Sequence, residues 1–82
     1  MYRIEFSKTA KKQLLKLKND VQKRVISTLE RIKTRPYPHL KKLVGSPFFR
    51  LRIGEYRAIL EIHEDDMSVV VIEVGHRKNI YQ

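Results

Sequence analysis

Cysteine and tryptophan are absent from this chain, and glycine and proline occur three times each. Without cysteine the fold draws nothing from disulfides and offers no thiolate to a metal or a substrate, as expected of a protein in a reducing cytoplasm. No secretory h-region is present, and the longest uninterrupted apolar run is Val69-Val70-Val71-Ile72, against the ~20 residues a membrane helix needs. A protein lying on an anionic bilayer would want a basic helix with exposed aromatics, and the helices here look committed to a core, which argues against a membrane partner. Acid is also scarce: nine Asp and Glu stand against 18 Lys and Arg, a formal charge of +9. That imbalance points to a polyanionic partner, with nucleic acid and an acidic protein both open.

What is present suffices for one domain, residues 1–82, with a single modest core. Tyr2-Arg3-Ile4-Glu5-Phe6 alternates as a strand does, with Tyr2, Ile4 and Phe6 inward. Ser7 is placed to cap a helix whose stripe is Ala10, Leu14 and Leu17. Asn19-Asp20 interrupts that stripe, and Asp20 is the expected cap of a second helix carrying Val21, Val25, Leu29 and Ile32. Arg35-Pro36-Tyr37-Pro38 ends it, because a residue before proline is pushed out of helical space. A short extended piece is expected around Leu43-Val44, then two strands, an acidic turn at His63-Glu64-Asp65-Asp66, and a last strand from Met67 to Gly75. The expected fold is α+β: an N-terminal strand, an αα-hairpin and three antiparallel strands, with the helices packed on a predominantly antiparallel four-stranded sheet.

The two strands before the acidic turn meet at Gly54-Glu55, and glycine in the first of two central positions suits a type II′ hairpin. Stepping outward sets Ile53 against Tyr56, Arg52 against Arg57, Leu51 against Ala58 and Arg50 against Ile59. Arg50, Arg52 and Arg57 then share one face, while Phe49, Leu51, Ile53, Ala58, Leu60 and Ile62 form the core side. Like charges across a ladder repel, so the cluster either splays into water or is built to hold an anion. The last strand, running back from the acidic turn, delivers Gly75-His76-Arg77-Lys78 to the same end, with Tyr81 close behind.

Arginine fits phosphate recognition and the charge of a phosphoryl transition state, and is a poor general base. The imidazole of His76 is a candidate proton acceptor, as is Glu55 in the turn; Tyr81 suits stacking on a base. Lys41, Lys42 and Lys78 are candidate RNA contacts. No residue spacing suggests a metal site, a P-loop, a dinucleotide fold or a Ser/His/Asp grouping, so no cofactor is expected.

Phe49-Arg50-Leu51-Arg52-Ile53-Gly54-Glu55-Tyr56-Arg57, followed by Val74-Gly75-His76-Arg77 and Tyr81, resembles the RelE toxins of type II toxin–antitoxin systems, within the RelE/ParE superfamily. The resemblance spans essentially the whole chain. It implies helices on an antiparallel sheet and a metal-free mRNA interferase, an endoribonuclease that cuts mRNA in the ribosomal A site. It also implies a RelB-like antitoxin that wraps and neutralises the toxin. By position, Arg57 and Arg77 match arginines that stabilise the transition state or assist the leaving group, and Tyr81 matches a tyrosine that orients a nucleotide. Arg50 and Arg52 stand where relatives have lysines, which leaves the general base unassigned. The ParE branch of the superfamily, which poisons DNA gyrase without cutting RNA, and a noncatalytic RNA-binding module are the competing readings.

Overall fold

Alternation in the first six residues and helical spacing thereafter set the order of elements. In the computed structural model, which describes residues 1–78, strand β1 (Arg3–Phe6) leads into helices α1 (Lys8–Leu15) and α2 (Asn19–Ile32). A single 3₁₀ turn at Tyr37–His39 precedes β2 (Lys41–Lys42), β3 (Phe49–Ile53), β4 (Tyr56–His63) and β5 (Ser68–His76). The sheet order is β1-β5-β4-β3-β2; β1 runs parallel to β5 and every other pair is antiparallel.

The α+β class is as expected, but the sheet has five strands rather than four. The additional strand is the lysine pair of β2, which pairs with β3 at the sheet edge. Two charged residues carry no alternation to read, and lysines on an edge are what keeps such an edge from pairing with other chains. The extended piece expected at Leu43-Val44 therefore lies two residues earlier. A second correction concerns α2: the capping position is Lys18, with no side-chain cap bond, and Asp20 sits in the first turn. There its carboxylate still opposes the positive end of the helix dipole.

Ser7 caps α1 as expected, accepting from the Ala10 N–H at 3.0 Å while its hydroxyl donates to the Ile72 carbonyl at 2.9 Å. The helix start is thereby tied to β5. Beyond the end of β1, the Val74 N–H donates to Gln13 Oε1 at 2.8 Å, so α1 also covers backbone that β1 no longer reaches.

Both helices lie on one face of the sheet. Ala10, Leu14, Val25, Leu29 and Ile32 pack there against Leu51, Ile53, Ala58, Leu60, Val69, Val71 and Val74, with Tyr2, Ile4, Phe6 and Ile62 at the margin. Phe49 shares the parity of Leu51 but packs edge-on against Tyr37, with ring centroids 5.7 Å apart, outside the main cluster. The opposite face has a small core of its own, Leu43 and Ile59 with Phe48 and Ile72. A register irregularity between Ile59 and Leu60 sets Ile72 as an extra residue in β5, which turns it toward that second cluster.

The acidic turn closes the pole away from Gly54. Tyr2 donates to Glu64 Oε1 at 2.7 Å, and Tyr37 donates to Glu64 Oε2. Hydrogen bonds from Tyr37 and Tyr2 hold the Glu64 carboxyl below its ordinary range, and the same bond pushes the Tyr37 phenol up to about 12. Glu64, with its lowered pKa, adds stability above its unfolded value that is lost as pH falls through the folded one. Tyr37, with its raised pKa, adds stability below pH 10.0 that is lost as pH climbs toward about 12. Tyr37→Phe should therefore lower the melting temperature at neutral pH, with the gap to wild type closing at both extremes. A gap that is constant from acid to alkali would show that the Tyr37–Glu64 bond does not form in solution.

Candidate functional site

Gly54 has φ of 61° and is the one residue of the β3–β4 turn with a positive φ, which is the type II′ pattern. The ladder it sets is the one expected: Ile53 faces Tyr56, Arg52 faces Arg57, Leu51 faces Ala58 and Arg50 faces Ile59. In a two-residue hairpin the pair after the closing pair is not hydrogen-bonded, and its Cα atoms come to ~4.5 Å, so Arg52 and Arg57 occupy the tighter kind of pair. Arg57 in turn faces Gly75 of β5, where an added Cβ would meet nothing within 4 Å among the described residues. None of those residues fills the space directly beside Arg57. One row further from the turn, Lys41, Arg50, Ile59 and Glu73 stand abreast across four strands.

These side chains share the face that the helices do not cover. Arg57 is half-buried, and its Nη1 is shielded from water with no hydrogen-bond partner among the described residues. Burial, then the charges of Arg50, Arg52 and Arg77, push its pKa down. A guanidinium in this range nonetheless stays protonated. A desolvated cationic donor ringed by like charge is a cost that an anion would relieve.

Arg77 joins the cluster through the turn. Its backbone N–H donates to the Glu55 carbonyl at 2.9 Å, and its Nε lies 3.1 Å from Glu55 Oε1. Several other acids are engaged in ion pairs of their own: Glu5 and Asp66 with Arg3, Glu30 with Lys33, and Glu61 with His63. Of the four arginines, Arg77 is the one paired with the turn carboxylate, while the charges of Arg50, Arg52 and Arg77 all act on Arg57.

The remaining expected site residues divide. Lys41 lies in the Arg50 row, whereas Lys42 is directed to the other face, its Nζ 5.8 Å from the Phe49 ring centre. His76 departs from the expectation. Since Gly75 faces Arg57, the next residue must turn to the helix side, and His76 packs edge-on against Tyr56 at 5.4 Å. Its Nδ1 accepts from the Lys78 N–H at 3.2 Å, which leaves the neutral ring's proton on Nε2. Lys78 is exposed in the turn that follows β5, and Tyr81 lies outside the described residues.

Two residues were missed by sequence reasoning. Glu73 shares the arginine face, and the alternation from Gly75 would have revealed it. Arg24 of α2 reaches the turn at Gly54, a contact no linear pattern announces. Among the described residues no three His, Asp or Glu side chains are placed to hold a metal ion.

Comparison with known proteins gives consistent results. Residues 4–81 match the model of the ParE toxin of type II toxin–antitoxin systems. The toxin–antitoxin complex RelBE2 of Mycobacterium tuberculosis contains a chain 28% identical to this one, with a TM-score of 0.87 over 93% of this chain and 98% of that one. The isolated RelE toxin of E. coli is 25% identical, with a TM-score of 0.83 over 93% of this chain and 84% of that one. In the RelB–RelE complex of Methanococcus jannaschii the matching chain is 29% identical, with a TM-score of 0.75 and 94% of each chain covered. Sequence model, fold and the arginines gathered at one hairpin agree, and the chain belongs to the ParE toxin family of type II toxin–antitoxin systems, within the RelE/ParE superfamily.

Proposed function

We propose that this chain is a ribosome-dependent endoribonuclease that cuts mRNA in the A site and is neutralised by a RelB-like antitoxin. The observation that carries the reading is Arg57: a half-buried guanidinium with a donor that has no partner among the described residues, surrounded by Arg50, Arg52 and Arg77. In cleavage the 2′-hydroxyl oxygen bonds to the adjacent phosphorus as the P–O5′ bond breaks, leaving a 2′,3′-cyclic phosphate and a 5′-hydroxyl. The 2′ proton departs and the 5′ oxygen gains one. Guanidinium groups stabilise the charge that builds on the non-bridging oxygens. None of them can take the 2′ proton. Glu55 is held by Arg77, and Glu73 stands on the same face with no ion pair among the described residues, so we assign that role to Glu73.

Exposure of the arginines supports the dependence on the ribosome in this reading. Arg52 and Arg77 are open to solvent, and screening by water weakens what they contribute until a second body encloses the RNA. The solved complexes of RelE with RelB from M. tuberculosis and M. jannaschii support a RelB-like partner.

The family model is named for ParE, which favours gyrase poisoning as the second reading. Purified protein added to a translation reaction, with the mRNA ends mapped, separates the two. Cuts within codons in the A site are expected. Intact message with inhibited gyrase would replace the nuclease by the poison, and intact message with active gyrase would leave a noncatalytic RNA-binding module.

A further inference from the structure

The hairpin tip is touched from both layers of the fold. A Cβ built on Gly54 would fall 2.9 Å from Arg24 Nη1 and 3.0 Å from both Cζ and Nη2. Three guanidinium atoms at nearly one distance mean that the plane of the group faces the glycine. Laid flat in this way, a guanidinium keeps its N–H donors at its rim, directed outward rather than into the protein. Among the described residues no acidic side chain pairs with them: the carboxylate nearest in sequence to Gly54, that of Glu55, is taken by Arg77. The two turn residues are thus each clasped by an arginine, Gly54 by Arg24 from the helix side and Glu55 by Arg77.

Gly54 therefore serves two needs. Its positive φ makes the turn, and its missing side chain lets Arg24 settle against the backbone. Arg24 is exposed on α2, so nothing in the core requires this reach. What the reach achieves is to continue the positive surface around the tip, from the arginine face to the helix face.

We propose that Arg24 is a second phosphate contact, which takes a single-stranded RNA backbone on the helix side of the hairpin tip. The phosphate to be cleaved then lies with Arg52 and Arg57 on the opposite face, and the RNA bends across Gly54-Glu55. The inference rests on the RNA reading above and adds a residue and a path to it. Arg24 is a positioning residue here: it holds a flanking phosphate and takes no part in bond breaking.

The test is equilibrium binding of a short single-stranded RNA, made uncleavable by 2′-O-methylation, followed by fluorescence anisotropy between ~50 and ~200 mM salt. Arg24→Ala should weaken binding about fivefold and lower the slope of log affinity against log salt by roughly 0.7, the value of one phosphate contact on a single strand. Arg24→Lys should keep the slope, since the charge remains. Arg31→Ala, on the same helix and also exposed, should leave both unchanged. Alanine is the best helix former, so both variants fold, and equal melting temperatures verify it. If Arg24→Ala binds as wild type, or if Arg31→Ala loses as much, Arg24 has no special part, while a loss in Arg57→Ala keeps the RNA reading intact. Wild-type protein that shows no salt-dependent RNA binding would overturn both.

Discussion

Arg57→Met should lower cleavage by a factor of about 10² to 10³, the range typical of losing one preorganised donor to a transition-state oxyanion, without lowering the melting temperature. Met keeps much of the apolar stem while removing the charge. In wild type that charge has a donor shut off from water with no partner among the described residues, and three further arginines repel it. Substitution should therefore leave the free protein as stable as before or slightly more so. A residue that served the fold would show the opposite pattern, activity and melting temperature falling together. Cleavage of mRNA in a translation reaction and a thermal melt, measured on one preparation, distinguish the two. Wild-type cleavage by Arg57→Met would remove this arginine from the site.

Ile59→Ala is expected to have the largest effect on stability. Ile59 is 2% exposed, yet it stands on the arginine face, where with Leu43, Phe48 and Ile72 it makes the small second core. Removing its outer carbons costs ~2 to 5 kcal/mol, depending on how far the site collapses, out of the about 4 to 12 kcal/mol that a domain of this length has in total. The expected fall in melting temperature is at least ~8 °C, since each kcal/mol moves a small domain by about 4 to 8 °C. Arg50 flanks Ile59 across the ladder, and Leu43 follows β2, so the same substitution should loosen the Lys41–Arg50 row. A loss below ~1 kcal/mol in a denaturant titration would show that this face carries no packed core of its own.

That second core explains why part of the molecule could be read from residue order and part could not. The hairpin register was legible because a glycine followed by alternating side chains admits one pairing, and from it came the facing of Arg52 and Arg57. The return of Arg77 followed from an antiparallel last strand. Alternation applied one residue further would have moved His76 to the helix side, where Tyr56 holds it. Other features depend on tertiary packing, which leaves no periodic mark. The reach of Arg24 to Gly54 depends on how α2 crosses β3, and the strand made by Lys41 and Lys42 exists because β3 offers it an edge. The extra residue in β5 is hidden for a related reason: in an unbroken apolar run such as Val69-Val70-Val71-Ile72, no polar residue marks where the period slips.

One more property follows from the parallel pairing at the sheet's edge. β1 has a single neighbour in the sheet, β5, so the opening strand must wait for the closing one before it has anywhere to go. The same late segment supplies Gly75 beside Arg57, and Arg77 comes directly after it. Without Ser68–His76 and the Arg77 that follows, the fold has neither a finished sheet nor an assembled cluster of guanidiniums. Closure of the sheet and assembly of the arginine cluster are in this way a single event, completed by one strand.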